Sequence, residues 1–178
     1  GFGRVGQTLV RMLYFQGHQI LVIDNDEAAL QTLREREIPY LYGDAASPTV
    51  LAKANLPAAK SMAIALPDPM TTRLTLNRAL SLAPELDITV RAHNKDEIEV
   101  LYQLGAQEVV QPEFEASLEM GAHMLLKLGD SAYAVTQIVN RYRSSRYRDI
   151  LPERSEYWGA ADLDVAIQGL ERHWYVLD

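Results

Sequence analysis

Six residues at the head of the chain have the types and spacing to hold a phosphate. Gly1-Phe2-Gly3-Arg4-Val5-Gly6 fits the pattern G-x-G-x-x-G. In that pattern the first glycine permits a tight turn out of a strand. The second has no Cβ, so phosphate oxygens can approach the backbone, and the third lets a helix pack close to a sheet. The phosphate then meets unpaired N–H groups at a helix N-terminus, where the macrodipole favours negative charge. Arg4 would add a charge-assisted contact. Asp24 stands 18 residues after Gly6, where the pattern expects an acid that accepts hydrogen bonds from ribose hydroxyls. Asn25, Asp26 and Glu27 follow it. With no base there, a 2′-phosphate would be repelled, so an adenosine or NAD ligand is expected over NADP. Two competing readings stand beside these. The glycines would also suit a tight turn with no ligand, and Asp24 would also suit a cap for the helix starting near Asp26.

The elements that must position these groups follow from the hydrophobic pattern. Apolar runs at Ile20–Ile23, Ile38–Tyr42, Met62–Leu66, Ile88–Ala92 and Val109–Val110 have strand length and end at turn residues. Helical patterns lie between them. One starts at Val5, presents Leu9, Met12 and Leu13 on one face and stops at Gly17. Others cover Ala28–Leu33, Leu51–Leu56 (opened by Ser47-Pro48), Met70–Leu82 and Lys95–Leu104. This alternation implies parallel βαβ units, and near-continuous apolar strands fit a sheet covered on both faces. The expected fold class is α/β, a Rossmann-like doubly wound parallel sheet. The glycine pattern calls for a strand ahead of Gly1, so the sheet is expected to lack its first strand in this chain. After Pro112 the rhythm changes to one long amphipathic helix, Phe114–Leu128, and then a helix over Ser131–Arg148. Boundaries are therefore expected near 112 and 130, giving 1–112, 113–129 and a C-terminal helical extension, 130–178.

Composition narrows the function. The chain has 17 basic and 24 acidic residues, a net charge of −7, and no cysteine. That excludes a disulfide scaffold, a thiolate zinc site and a cysteine nucleophile. It argues against nucleic acid as a partner. Histidines 18, 93, 123 and 173 have no ligand spacing, so no metal site is expected. His93 is weighed as a residue at the sheet mouth. No apolar run reaches the length of a membrane helix, and a soluble cytoplasmic domain is the expectation. Arg141, Arg143, Arg146 and Arg148 read better as a solvated face paired with acids than as a polyanion site. Leu118, Met120, Met124, Leu125 and Leu128 read as a packing face that would suit a second subunit. The chain has no Tyr-x-x-x-Lys pair, so an enzyme is not expected.

Several short segments, in order, carry a resemblance. They are Gly1–Gly6, Val22-Ile23-Asp24-Asn25-Asp26, Tyr42-Gly43-Asp44-Ala45 followed by Leu51, Thr89–Ala92, Leu104-Gly105-Ala106 and Gln111-Pro112-Glu113. Over residues 1–128 the chain resembles the RCK N-terminal domain, also called TrkA-N or KTN. These are cytoplasmic regulatory domains of potassium channels, uptake systems and efflux antiporters. With Arg4 after the second glycine it looks closest to the domain of Kef-type monovalent cation:proton antiporters, in which a transmembrane transporter precedes the domain.

The resemblance implies roles. Backbone N–H groups from Gly3 to Val5 would hold phosphate, within a loop running from Gly1 and Phe2 to Gly6. Asp24, with Asn25 beside it, would hold the ribose. Asp44 and Ala45 would flank the adenine, and Leu66, Pro67 and Asp68 would line the crevice. Arg91 would lie near the phosphates. Glu113 would lie near the ligand or a cation at a dimer interface, and the helix 113–128 would pair two copies. In the family an acidic pair and an asparagine often follow the fourth strand. Here Asp68-Pro69-Met70 stands there and Asn77 comes only later. The implied ligand is AMP or NAD(H), with ATP also possible, and the implied task is gating a cation transporter at the cytoplasmic face of the plasma membrane. The alternatives are an NAD-dependent dehydrogenase and a dimerisation module with a vestigial pocket.

Overall fold

The structure is a computed structural model and describes residues 1–148. The remainder of the expected tail, 149–178, lies outside the described residues. In chain order the elements are α1 (Arg4–Phe15), β1 (Val22–Asp24), α2 (Glu27–Glu35), β2 (Tyr40–Tyr42), α3 (Pro48–Lys53), a 3₁₀ turn (Leu56–Ala58), β3 (Ser61–Ile64), α4 (Pro69–Leu82), β4 (Asp87–Arg91), α5 (Lys95–Gln103), β5 (Glu108–Val110), α6 (Pro112–Lys127) and α7 (Ala132–Arg148).

Local chemistry explains most of the helix starts. Asp26 caps α2 by accepting the Ala28 N–H at 3.1 Å, with Glu27 in the first turn and Arg34 in the last, as the macrodipole favours. Asn94 caps α5 through the Glu97 N–H at 3.0 Å. The Glu97 carboxylate is buried, and it accepts the His93 N–H at 2.9 Å and the Asn94 amide at 3.1 Å. A reciprocal cap of this kind satisfies donors that the helix cannot. The expected helix Leu51–Leu56 is split. Asn55 adopts a left-handed conformation (φ 52°), and Pro57 disfavours helical backbone at Leu56.

All strand pairs are parallel. Val22–Asp24 pairs with Tyr40–Tyr42, Ser61–Ile64 with Asp87–Val90, and Thr89–Arg91 with Glu108–Val110. The ladders form two sheets, β1-β2 and β3-β4-β5. Among the described residues no ladder joins them. Gly1 and Phe2 lie between them: a Cβ on Gly1 would stand 3.0 Å from the Ala65 carbonyl after β3, while the Phe2 N–H meets Asp24 at the end of β1. The core falls into two clusters, and the larger one crosses this division by taking in Leu51 of α3 and half-buried Ile23 of β1. Ile64, Leu76, Ile88, Val90, Ile98 and Leu101 form the larger cluster. Phe2, Val10, Val22, Leu30, Leu33 and Ile38 form the smaller one. Deleting a side chain such as Ile88, fully buried on the middle strand, would cost about 2–5 kcal/mol.

The buried side of α1 is not the face that Met12 and Leu13 present. Gly6 and Val10 are buried, whereas Met12 and Leu13 are exposed. The reason lies at Gly6, where a Cβ would sit 1.9 Å from the Gly1 carbonyl oxygen. That contact fixes the rotation of the helix, and Val10, one turn on, points the same way. Beyond the sheets, α7 turns at Gly129 (φ 99°) and runs back along α6.

Candidate nucleotide-binding site

Parallel strands bring their carboxyl ends to one edge, and loops there line the crevice of a doubly wound fold. The residues expected to hold a nucleotide gather at this edge. The Gly1–Gly6 loop sits between β1 and β3. Asp24 ends β1, with exposed Asn25 next to it. Asp44 and Ala45 follow β2. Leu66 and Pro67 follow β3, Arg91 ends β4, and Glu113 opens α6 after β5.

The glycine loop has room for an anion. A Cβ at Gly3 would meet nothing within 4 Å, while one at Gly6 would strike the Gly1 carbonyl. The close approach at Gly6 is thus to the start of its own loop. Gly3 is the N-cap of α1 and offers no side-chain hydrogen bond, and the first turn holds no acid. Helices α2, α4 and α5 carry side-chain caps, and α3 and α6 begin with proline. The N–H groups of Arg4, Val5 and Gly6 open α1 without an intrahelical carbonyl to meet. They form the positive end of a macrodipole that no first-turn acid offsets. Phe2 is buried, Val5 is half-buried and Arg4 is exposed.

Asp24 does not cap α2; Asp26 does. Instead Asp24 fastens the glycine loop. Its Oδ2 accepts the Phe2 N–H at 2.5 Å and its Oδ1 accepts the Asp26 N–H at 2.8 Å. Each carboxylate oxygen has two acceptor sites, so hydroxyl donors can still be accommodated. The Asp24 carbonyl accepts the Gly43 N–H at 2.9 Å, which draws the loop after β2 beside it. There Asp44 Oδ1 accepts the Ala46 N–H at 2.8 Å. The donors, the carboxylate and the open Gly3 position together suit a phosphorylated nucleoside.

On the other side, Arg91 Nη2 lies 3.1 Å from Glu113 Oε1, and Arg91 Nε is buried without a partner. A buried, unpaired guanidinium donor is costly unless something accepts it. His93 turns Nδ1 towards Glu97 at 3.2 Å and leaves Nε2 buried without a partner. A cavity of about 470 Å3 lies along α1 against Arg36 and Ile38. It includes Phe2 but none of the other residues singled out in the sequence.

Sequence reasoning missed Arg78 and the particular partners of Arg143 and Arg146. Arg78 of α4 donates to the Ala46 carbonyl. Arg143 pairs with Glu115 at 2.9 Å. Arg146 lies over the Phe114 ring, 4.8 Å from its centroid, and donates to Gln111. Two of the four arginines expected on a solvated face therefore bind α7 to the base of α6. The i, i+3 spacing of Arg143 and Arg146 was the available signal for a shared face. For Arg78 there was none.

Asp68 is committed to the helix behind it. Its Oδ2 accepts both the Thr71 hydroxyl and the Thr71 N–H at 2.6 Å. The Thr71 hydroxyl first, then its N–H, holds this carboxyl below the ordinary aspartate range, with the His93 charge adding to the effect. A depressed carboxylate stabilises the fold above its unfolded pKa of about 3.9, and loses that contribution as pH falls through the folded value. Asp68→Ala is therefore expected to melt below wild type at neutral pH, and the gap to close on acidification. Thermal denaturation followed by circular dichroism checks this. A gap that stays constant through the acid range would contradict it.

Comparison with known proteins agrees with this geometry. Residues 1–112 match the TrkA-N domain. Over 163 residues, 92% of this chain, it is 32% identical to a protein named as a K(+) efflux antiporter, KefB, of Alkalimonas amylolytica, and covers 24% of that protein. The TrkA-N domain of the inner membrane protein ybaL from Escherichia coli superimposes with a TM-score of 0.63 at 28% identity, over 73% of this chain and 93% of that one. The Kef C-terminal domain of Shewanella denitrificans, in an AMP-bound form, gives a TM-score of 0.75 at 23% identity, over 84% and 91% of the two chains. The chain spans about a quarter of the length of its KefB relative. By residues 1–112, a Rossmann-like unit of parallel strands with helices around them, the protein belongs to the TrkA-N domain family.

Proposed function

We propose that this chain is a regulatory module that binds an adenine nucleotide and biases the gate of a potassium or other monovalent cation antiporter at the cytoplasmic face of the membrane. AMP or NAD(H) is the proposed ligand, with ATP as a further candidate. One observation carries the reading: the uncapped N-terminus of α1 opens behind Gly3, beside the Asp24 carboxylate. The KefB relationship supports the transporter context. Lack of a basic residue next to Asp24 favours AMP and NAD(H) over NADP(H). A dehydrogenase would need an acid or base at the nicotinamide, and no Tyr-x-x-x-Lys pair supplies one. The proposed module is therefore a binding domain and not a catalyst.

When bound, the ligand supplies a phosphate charge and two ribose hydroxyls. The N–H groups from Gly3 to Val5 hold the phosphate, Asp24 orients the ribose, and Asp44 and Ala45 flank the base. Arg91 is shared. It pairs with Glu113 across 3.1 Å, and Glu113 is exposed on the first turn of α6. A phosphate near Arg91 competes with Glu113 for the guanidinium. The contest carries ligand binding to α6, and only a difference in affinity between two states can shift the gate. Met120 and Met124 on α6 and Leu128 at its C-cap are 71%, 63% and 77% exposed and fall at i, i+4 and i+8. This stripe is the face proposed to pair two copies of the chain, so Glu113 stands at one end of the pairing helix.

The test is a thermal-shift panel of AMP, ATP, NADH and NADPH on wild type and Asp24→Ala. AMP or NADH at 100 times its dissociation constant should add about 2.7 kcal/mol, a rise of roughly 5–10 °C. Asp24→Ala should abolish the rise, and NADPH should give the smallest one. No rise with any nucleotide would reject the reading. Glu113→Gln removes the competitor of the phosphate and should tighten AMP by roughly two- to fivefold, the worth of an exposed ion pair. Isothermal titration measures this, and unchanged or weaker binding would reject the competition.

A further inference from the structure

The loop after β2 and the loop after β3 form facing walls of the crevice, yet no ladder joins their sheets among the described residues. Apolar packing joins the two sides, with Leu51 of α3 in one cluster with Leu76 of α4, and one side chain adds a polar tie. Arg78 sits on α4, which continues directly from Leu66, Pro67 and Asp68. Its Nη1 donates to the Ala46 carbonyl, 32 residues away in sequence. Ala46 is 2% exposed, so water is a poor substitute partner for that carbonyl. The rest of the loop is held from its own side. The Gly43 N–H reaches the Asp24 carbonyl at 2.9 Å, the Ser47 N–H reaches the Asp44 carbonyl at 2.9 Å, and the Ala46 N–H reaches Asp44 Oδ1 at 2.8 Å. Gly43 has a φ of 151°, and a Cβ there would meet Val50 Cγ2 at 2.6 Å. The loop thus has a fixed internal shape, and Arg78 ties that shape to the opposite wall.

We infer that Arg78 is a positioning residue for the base-binding end of the site. Together with the apolar packing of α3 and α4, it sets the distance between the Asp44–Ala45 wall and the Leu66–Pro67 wall, and with it the slot into which a planar base fits. It touches neither the phosphate cradle at Gly3 nor Asp24. Its effect is therefore selective: removing it loosens the hold on the base and leaves the ribose phosphate held as before. This inference rests on the adenine-nucleotide reading and extends it to a residue outside the glycine pattern.

The experiment compares AMP with ribose 5-phosphate, which keeps phosphate and ribose but lacks the base. Both are titrated into wild type, Arg78→Met and Arg78→Lys by calorimetry, with ribose 5-phosphate also measured by displacement of AMP. Arg78→Met keeps the aliphatic stem and removes the donor. It should weaken AMP by about fivefold or more, as expected for a lost charge-assisted bond to a buried carbonyl, with ribose 5-phosphate changed less than about twofold. Arg78→Lys restores a donor on a similar stem and should recover part of the AMP affinity. It carries the comparison alone if the methionine variant does not fold, and is then expected to lose AMP affinity selectively but by less. Equal losses for both ligands, or unchanged AMP binding, would overturn the inference while leaving the nucleotide reading intact. Wild type that binds neither ligand would overturn both.

Discussion

The Asp24 carboxylate holds the backbone N–H of Phe2, and much of the geometry above depends on that bond. It joins the end of β1 to the start of the glycine loop, at the point where the two sheets meet without a ladder. Once Phe2 is fixed, its ring seals the smaller core against Val10, Leu30 and Ile38. Gly1 is then pressed against the end of β3, and Gly6 against Gly1, which sets the rotation of α1. The helix consequently presents its free N–H groups beside the same carboxylate. A charge-assisted bond to a carboxylate is worth more than a neutral one, and this one organises both the proposed anion cradle and the proposed acceptor for a sugar. Structure and binding chemistry converge on one side chain.

A second constraint lies at the base of α6. Arg91 approaches Glu113 from the sheet, while Arg143 and Arg146 approach Glu115 and Phe114 from α7. The first turn of this helix is therefore held from two directions by cations. Exposed ion pairs are individually weak, which suits a coupling element: a phosphate can take over Arg91 without unfolding anything. In the proposed exchange the α7 contacts would keep the helix seated. Burial separates these roles, since Glu113 is exposed and Glu115 is half-buried.

Legibility in the sequence followed the range of the interactions. The parallel α/β order was readable because hydrophobic runs and caps are local, and every expected strand is present within about two residues of its expected bounds. The glycine pattern and Asp24 were readable because their spacing is itself a geometric constraint. Which face of α1 turns inward was not legible, because a single backbone contact at Gly6 outweighs the side-chain pattern of Leu9, Met12 and Leu13. The break at Asn55 depended on a left-handed residue that propensity ranks only weakly. Arg78 was silent, since a side chain that reaches a carbonyl 32 positions away leaves no periodic trace. Of the α7 arginines read as paired with acids, Arg143 meets Glu115, while Arg146 meets Gln111 and the Phe114 ring, partners that were not foreseen.

The central claim is that a nucleotide phosphate is held by the open first turn of α1. The most direct measurement is a titration of the 15N-labelled chain with AMP, followed by amide NMR. The account predicts that the signals of Gly3, Arg4 and Val5 move first and furthest, together with Ala45 and the Arg91 side chain, along one saturating curve. Shifts confined to other surfaces, with the glycine-loop amides unmoved at saturating AMP, would contradict it.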